Sequence, residues 1–315
     1  MLAASTGSRR PLPGVATRIA CVCALAILSL SIIGCATDGS RRDDSPSAAS
    51  IEGSIDTWSL LREATDHEAL YTLAGGLKPM STGIWRGRFR VAEPNLAELR
   101  HARAALAPLR NDTWYADVQV FDNIHDGSRS THAYVVHRAA LSRMIERYAG
   151  FWSACGITPE THPAEIVAVV DRMPRAERWR GYGYLFGYPS HAVDFFVEAG
   201  IAAEDGREVG PGKDREFVHV PTFASDTGRF TYAVPLDHVE SQPDAALARE
   251  AGRILAAYTE RRERMSDAAT IIRELTRLNR RFESSAMQAA EIAAQAYDSE
   301  PLTIGGARDA VLDAG

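Results

Sequence analysis

Residues 114–137, WYADVQVFDNIHDGSRSTHAYVVH, contain the pattern that decides the fold. In residues 114–121 every second side chain is apolar on one face, which is typical of a half-buried strand. Residues 131–137 can pair with this strand across the loop at Asp126-Gly127, a dipeptide that favours tight turns between strands. The stretch therefore predicts an antiparallel β-hairpin.

Segments on both sides of this hairpin add further strands and helices. Residues 84–91 (IWRGRFRV) alternate apolar and basic side chains as a third strand would, and residues 217–223 and 229–234 form a second candidate hairpin. Helices are expected from Asp56 to a stop at Gly75-Gly76 and over residues 96–109, 138–154 and 164–173. The predicted class is α+β, with an antiparallel sheet of about five strands covered by helices.

The C-terminal segment has the most regular periodicity in the chain. From Leu247, steps of four and three residues reach apolar side chains at thirteen of fifteen positions, and Asn279 is an exception at a position where Asn can fix register. One continuous helix over 244–297 would be about 80 Å long and would offer a coiled-coil surface for self-association or a protein partner. The alternative is a helical hairpin that turns near Ser266-Asp267 and packs on the sheet. The periodicity alone does not choose between them.

The first 34 residues are typical of a secretory signal peptide. Three arginines precede an uncharged stretch at 19–34 (IACVCALAILSLSIIG), which as a helix of about 24 Å is shorter than the roughly 30 Å hydrocarbon core. Its end, Ile32-Ile33-Gly34-Cys35, resembles a bacterial lipobox. The resemblance implies lipidation of the Cys35 thiol, cleavage before Cys35 and acylation of the new N-terminus. An uncleaved anchor helix is the alternative.

The residues after the lipobox indicate where the protein is held. Residues 35–50 are small, polar and charged, which predicts a lipidated, flexible tether. Ala36 after the modified cysteine resembles the outer-membrane sorting pattern of Gram-negative lipoproteins, which implies an envelope protein anchored to the outer membrane and facing the periplasm. The rest of the chain is expected to form an α+β domain over 51–240, a helical segment over 241–298 and a disordered tail over 299–315.

Charge and cysteine content change once the signal peptide is set apart. After residue 34 the chain has 32 basic and 41 acidic residues, a net charge of −9, which together with export argues against a nucleic-acid partner. Cys155 is the one cysteine after Cys35, so no intramolecular disulfide framework is expected, and its helical, apolar surroundings predict a buried, unreactive thiol. No phosphate-loop or dinucleotide motif occurs, and no cofactor is predicted.

The central hairpin also contains a cluster of imidazole and carboxylate side chains, the commonest ligands of zinc and non-haem iron. The candidate ligands are Asp122, His125, His132 and His137, with Asp126 beside them. His132 and His137 are five residues apart and would point to opposite faces of a strand. A polar hairpin with solvent-facing histidines is therefore the alternative to a metal site.

Residues 180–200 (RGYGYLFGYPSHAVDFFVEAG) have the most unusual local composition. Alternation over 182–188 predicts a strand, and its aromatic side chains are candidates for a ligand pocket or for the core: Tyr182, Tyr184, Phe186 and Tyr188. A helix is expected from Ser190, with His191 and Asp194 on one face as candidate acid/base residues.

Lys78, one of only two lysines, lies in a Gly-rich loop where it can meet an anionic ligand.

Two classes of function are compatible with these patterns. The first is a membrane-anchored envelope lipoprotein that binds a partner or ligand without catalysis. It is favoured by the lipobox, by the periodic C-terminal segment over 244–297 and by the lack of a catalytic motif. The alternative is a periplasmic hydrolase or metal-dependent enzyme that uses the aromatic segment or the His-rich hairpin.

Overall fold

The structure, a computed structural model, describes residues 55–227 and 230–294. Within these residues ten α-helices and five strands form a mixed α+β fold, so the predicted class is confirmed. The helices are α1 (Thr57–Asp66), α2 (Leu70–Leu73), α3 (Ala97–Ala105), α4 (Arg138–Arg147), α5 (Ala149–Ser153), α6 (Pro163–Arg172), α7 (Arg175–Leu185), α8 (Ser190–Glu204), α9 (Gln242–Arg262) and α10 (Ala268–Ala294). The strands are β1 (Met80–Arg90), β2 (Trp114–His125), β3 (Ser128–His137), β4 (Arg215–Val220) and β5 (Phe230–Pro235). The signal peptide, Cys35, the tether and the tail lie outside the described residues.

The predicted hairpin of residues 114–137 is confirmed and belongs to a three-stranded antiparallel sheet of order β1-β3-β2. Trp114 pairs with His137 at one end and His125 with Ser128 at the other. The turn is Asp126-Gly127, and both residues have positive φ angles, of 48° and 68°. This is the backbone conformation that two-residue hairpin turns favour.

This sheet lies between two hydrophobic cores. On one face Ala116 and Val135 pack with α1–α3 and with α9–α10, and on the other face Tyr134 and Val136 pack with α4–α8. Because successive side chains of a strand point to opposite faces, the central strand β3 contributes to both cores. The result is a layer of sheet between two layers of helices.

Residues 242–294 form the helical hairpin rather than one continuous helix. Helix α9 ends at Arg262 and α10 begins at Ala268, and the side chain of Asp267 caps α10 by accepting a 2.8 Å hydrogen bond from the N–H of Thr270. The turn therefore falls near Ser266-Asp267, where the sequence predicts it because both residues can cap the start of a helix. Leu275 and Phe282 are fully buried, so the apolar stripe of the heptad pattern lies in the core of this chain.

Residues 182–188 do not form the predicted strand, because most of them belong to α7. The alternation of glycine and aromatic residues there reflects helix packing. A Cβ atom added at Gly183 would lie 2.8 Å from Cγ2 of Val193 in α8, and one added at Gly181 would lie 3.2 Å from Cγ1 of Val170 in α6. Glycine thus allows α7 to pack closely against both neighbouring helices.

Other local predictions are confirmed in part. The second hairpin forms from β4 and β5, with Val220 opposite Phe230, and Asp56 caps α1. The predicted helix of residues 138–154 is interrupted at Tyr148. Cys155 is exposed rather than buried, so that expectation is wrong.

In residues 55–227 and 230–294 we find no helix that has both the length and the apolar character to cross a membrane.

Candidate functional site

His191 is the second residue of α8, since that helix begins at Ser190 as predicted. Asp194, expected to be its acid/base partner, instead forms an ion pair with Arg180 of α7. The Nε2 atom of His191 lies 3.4 Å from Oδ1 of Asp244 in α9. The carboxylate that faces His191 therefore comes from a helix more than 50 positions further along the chain.

His238 completes a cluster with these two residues. It lies in the loop between β5 and α9, its Nε2 atom is 2.8 Å from Oδ2 of Asp244, and its ring stacks on His191 with centroids 5.2 Å apart and planes 14° apart. The three side chains offer ligand atoms that all lie within 4.8 Å of one another. Sequence reasoning had not selected His238 or Asp244.

Asp244 is nearly inaccessible, with 3% of its surface exposed. Its Oδ2 atom accepts hydrogen bonds from the backbone N–H and the hydroxyl of Ser241, at 2.9 and 2.6 Å, and Oδ1 accepts one from the Tyr232 hydroxyl at 2.7 Å. Burial alone would raise the pKa of Asp244, but His191, Ser241 and Tyr232 more than offset it, so the pKa lies below its usual range. The cluster thus contains an ionised carboxylate at neutral pH.

The Nε2 atom of His191 is shielded from solvent. Its 3.4 Å approach to Oδ1 of Asp244 is an ion-pair contact and not a well-formed hydrogen bond.

The four aromatic pocket candidates pack in the core around α7, and Tyr184 and Tyr188 also line a small opening between α4 and α10. The Tyr182 hydroxyl accepts a 2.7 Å hydrogen bond from Nε2 of Gln119, and the Tyr184 ring stacks on Tyr148 with centroids 3.8 Å apart. Phe186 and Tyr188 lie near Lys78. Burial raises the pKa of the Tyr182 and Tyr188 hydroxyls, as expected for core side chains.

Lys78 is fully buried and meets an anion of its own chain. Its Nζ atom lies 2.5 Å from Oε2 of Glu68 and 4.3 Å from the ring centroid of Phe230. Phe186 and Tyr188 add ring faces at 5.6 and 5.8 Å. Burial lowers the pKa of Lys78, while the neighbouring Glu68 carboxylate opposes this shift. The lysine is therefore paired within the core.

The metal-ligand candidates of the central hairpin lie at separate places along the two strands. His137 is buried and bonds to Asn279, whereas the His132 ring packs edge-on against Phe121. His125 is exposed at the tip of the hairpin, and its Nε2 atom lies 3.2 Å from Oδ2 of Asp126. Asp122 pairs with Arg129.

The end of the sheet near the Asp126-Gly127 turn is largely exposed. We call residues 86–90, 120–125 and 128–130 the exposed sheet end. Val118 and Ala133 pair on the face that packs against the core, and Val120 continues that face two residues further on. Val120 and Ile124 are 40% and 54% exposed. An apolar sheet face thus extends beyond the core into solvent.

A shallow opening lies between α4 and α10 and includes Arg143, Arg147 and Met287 among its lining residues. Its volume is about 40 Å³. Small-molecule sites usually measure about 300–1,000 Å³, so this opening has room for little more than a few water molecules.

No protein-family model, curated protein or solved structure matches this chain.

Proposed function

We propose that this chain is a lipid-anchored protein of the bacterial envelope that binds a protein partner in the periplasm and does not catalyse a reaction. The lipobox resemblance that ends at Cys35 supports the anchor, and Ala36 supports placement on the outer membrane. The observation that carries the binding role is the exposed sheet end. Its aliphatic side chains Val120 and Ile124 are 40% and 54% exposed.

The partner that fits this surface combines apolar and acidic groups. Val120 and Ile124 offer aliphatic side chains on the face that continues the core. On the opposite face Arg88 and Arg90 are exposed, since they alternate with Phe89 along β1. Guanidinium groups on the other face of this sheet end favour a partner that also has carboxylates, because complementary charge directs association.

The non-enzymatic part of the proposal is supported by the state of the candidate catalytic residues. Asp194 is paired with Arg180, and the aromatic side chains of residues 182–188 are packed in the core. The opening of about 40 Å³ does not admit a drug-sized substrate. These observations favour binding over catalysis in the described residues.

The binding role can be tested by crosslinking in intact cells. A photoreactive amino acid at position 124 of the full-length protein should give a discrete adduct with one envelope protein, and the Val120→Asp substitution should abolish it. Position 201 in α8 is the matched control, because Ile201 is also apolar and 45% exposed. Absence of an adduct at position 124, or the same adducts from position 201, would overturn the proposal.

The anchor has its own test. The Cys35→Ala variant should lose incorporation of labelled fatty acid and move from the membrane fraction to the soluble fraction, because two or three acyl chains hold a protein on a bilayer. Cys155→Ser is the control and should keep both properties. Retained acyl labelling in Cys35→Ala would rule out the lipobox.

A further inference from the structure

We propose that His191, His238 and Asp244 form a binding site for a divalent transition metal, with zinc as the ion that fits best. This inference is independent of the proposed partner-binding role. Imidazole nitrogens and a carboxylate oxygen are the ligands that zinc takes in sites with three protein ligands. The residues come from α8, from the loop after β5 and from α9, so local sequence spacing does not reveal the site.

The distances in the cluster suit a tetrahedral ion. Zinc bonds to nitrogen and oxygen are about 2.0–2.2 Å, so two donors on one ion lie roughly 3.3 Å apart. The Asp244 carboxylate oxygens lie 2.8 Å from Nε2 of His238 and 3.4 Å from Nε2 of His191. Since all three ligand atoms lie within 4.8 Å of one another, small side-chain rotations suffice to enclose an ion.

The ring nitrogen of His191 faces the Asp244 carboxylate without a well-formed hydrogen bond. Its Nε2 atom is shielded from solvent and lies 3.4 Å from Oδ1 of Asp244. A bound cation would be held by the lone pair of this nitrogen and by the carboxylate together.

The groups around Asp244 are those expected behind a metal ligand. Tyr232 and Ser241 donate hydrogen bonds to its carboxylate and fix the orientation of the oxygens. Such supporting bonds are typical of metal-binding carboxylates. Three protein ligands leave a fourth position for water, and the side chains of His191 and His238 are 25% and 14% exposed.

Zinc titration of the full-length protein in detergent tests the site. The protein is first treated with EDTA and contains Cys155→Ser, so that the exposed thiol does not contribute. We expect one zinc ion per chain by calorimetry, and a rise in Tm of about 5 °C or more when free zinc is a hundredfold above Kd. Cobalt should give the visible absorption of a tetrahedral complex.

Three variants decide whether the ion is bound at this cluster. His191→Ala and His238→Ala should each weaken zinc binding at least about a hundredfold and remove the cobalt spectrum. His125→Ala, an exposed histidine of the hairpin, should bind zinc like the parent.

Three results would overturn the site. They are no saturable zinc binding in the parent, unchanged binding in His191→Ala and His238→Ala, and loss of binding in His125→Ala. Should one variant fold poorly, the zinc-dependent rise in Tm of the parent and its absence in the other variant still decide the question.

Discussion

The Nε2 atom of His137 lies 2.9 Å from Oδ1 of Asn279 and joins β3 to α10 across 142 positions of sequence. The Nδ1 atom of the same ring accepts a 3.2 Å hydrogen bond from the N–H of Ala140 and so caps α4. With Nδ1 as acceptor, the proton is on Nε2, which donates to Asn279. Burial lowers the pKa of His137, so the ring stays neutral. One histidine thereby fixes a strand, a helix start and the helical hairpin relative to one another.

Asn279→Leu should lower the free energy of unfolding by about 1–3 kcal/mol, because the buried Nε2–H of His137 would lose its acceptor. Urea denaturation measures the change, with the m-value checked for constancy. Gln288→Leu is the control, since Gln288 is an exposed residue of the same helix and should change stability little. Equal effects of the two substitutions would contradict the role given to this hydrogen bond.

The elements that sequence predicts well depend on local physics. The 114–137 hairpin combines period-two alternation with an Asp-Gly turn, and the 266–267 turn combines a heptad pattern with N-cap residues, so neighbours in sequence specify both. Residues 182–188 were assigned to a strand because glycine and aromatic residues alternate there. Gly181 and Gly183 pack against two other helices, and this close packing explains the alternation. Because these contacts are tertiary, the local sequence does not reveal them.

The candidate site shows the same limit. The sequence predicts His191 as a site residue because it starts a helix, and it predicts Asp194 as its partner only because Asp194 lies one helical turn away. The ion pair with Arg180 comes from a different helix and could not be read from that spacing. Asp244 follows Ser241 by three residues, the spacing of a capping box, and that pattern alone predicts a cap. Its meeting with His191 and His238 depends on the packing of α8 against β5.

His132 should make the protein sensitive to acid between about pH 6.5 and pH 4. Burial and the neighbouring Arg86 lower its pKa from 6.5 to about 4 in the folded state. Over this range the unfolded chain binds the proton and the folded chain does not, so the free energy of unfolding falls as the pH falls. Below about pH 4 the contribution levels off.

His132→Gln should reduce this acid-dependent loss of stability by on the order of 1–2 kcal/mol, allowing for the partial exposure of the ring. Urea midpoints at several pH values, compared between parent and variant, cancel the contributions of the carboxylates. His125→Gln is the control, because His125 is an exposed histidine at the tip of the same hairpin. A His132→Gln profile parallel to the parent would show that the ring does not titrate as described.

Lys78→Met should destabilise the protein by about 3–5 kcal/mol, because it leaves the Glu68 carboxylate without its partner in the core. Adding Glu68→Leu should recover most of the loss, since an apolar pair of similar size can replace a buried ion pair at little cost. Lys213→Met is the control. Lys213 pairs with Glu208 on the surface, and such pairs contribute under about 1 kcal/mol. A double variant less stable than Lys78→Met would contradict this account.

Gly183→Ala should destabilise the protein by about 1–3 kcal/mol, although alanine favours helices, because the added Cβ would lie 2.8 and 2.9 Å from the two methyl groups of Val193. Gly252→Ala is the matched control substitution. Gly252 lies in α9 with nothing within 4 Å of an added Cβ, so this substitution should raise stability by about 0.5–1 kcal/mol. Val193→Ala should relieve the clash, so the double variant with Gly183→Ala should be more stable than the sum of the single effects implies. If Gly183→Ala proves as stabilising as Gly252→Ala, the close packing of α7 on α8 is not the reason for glycine at this position.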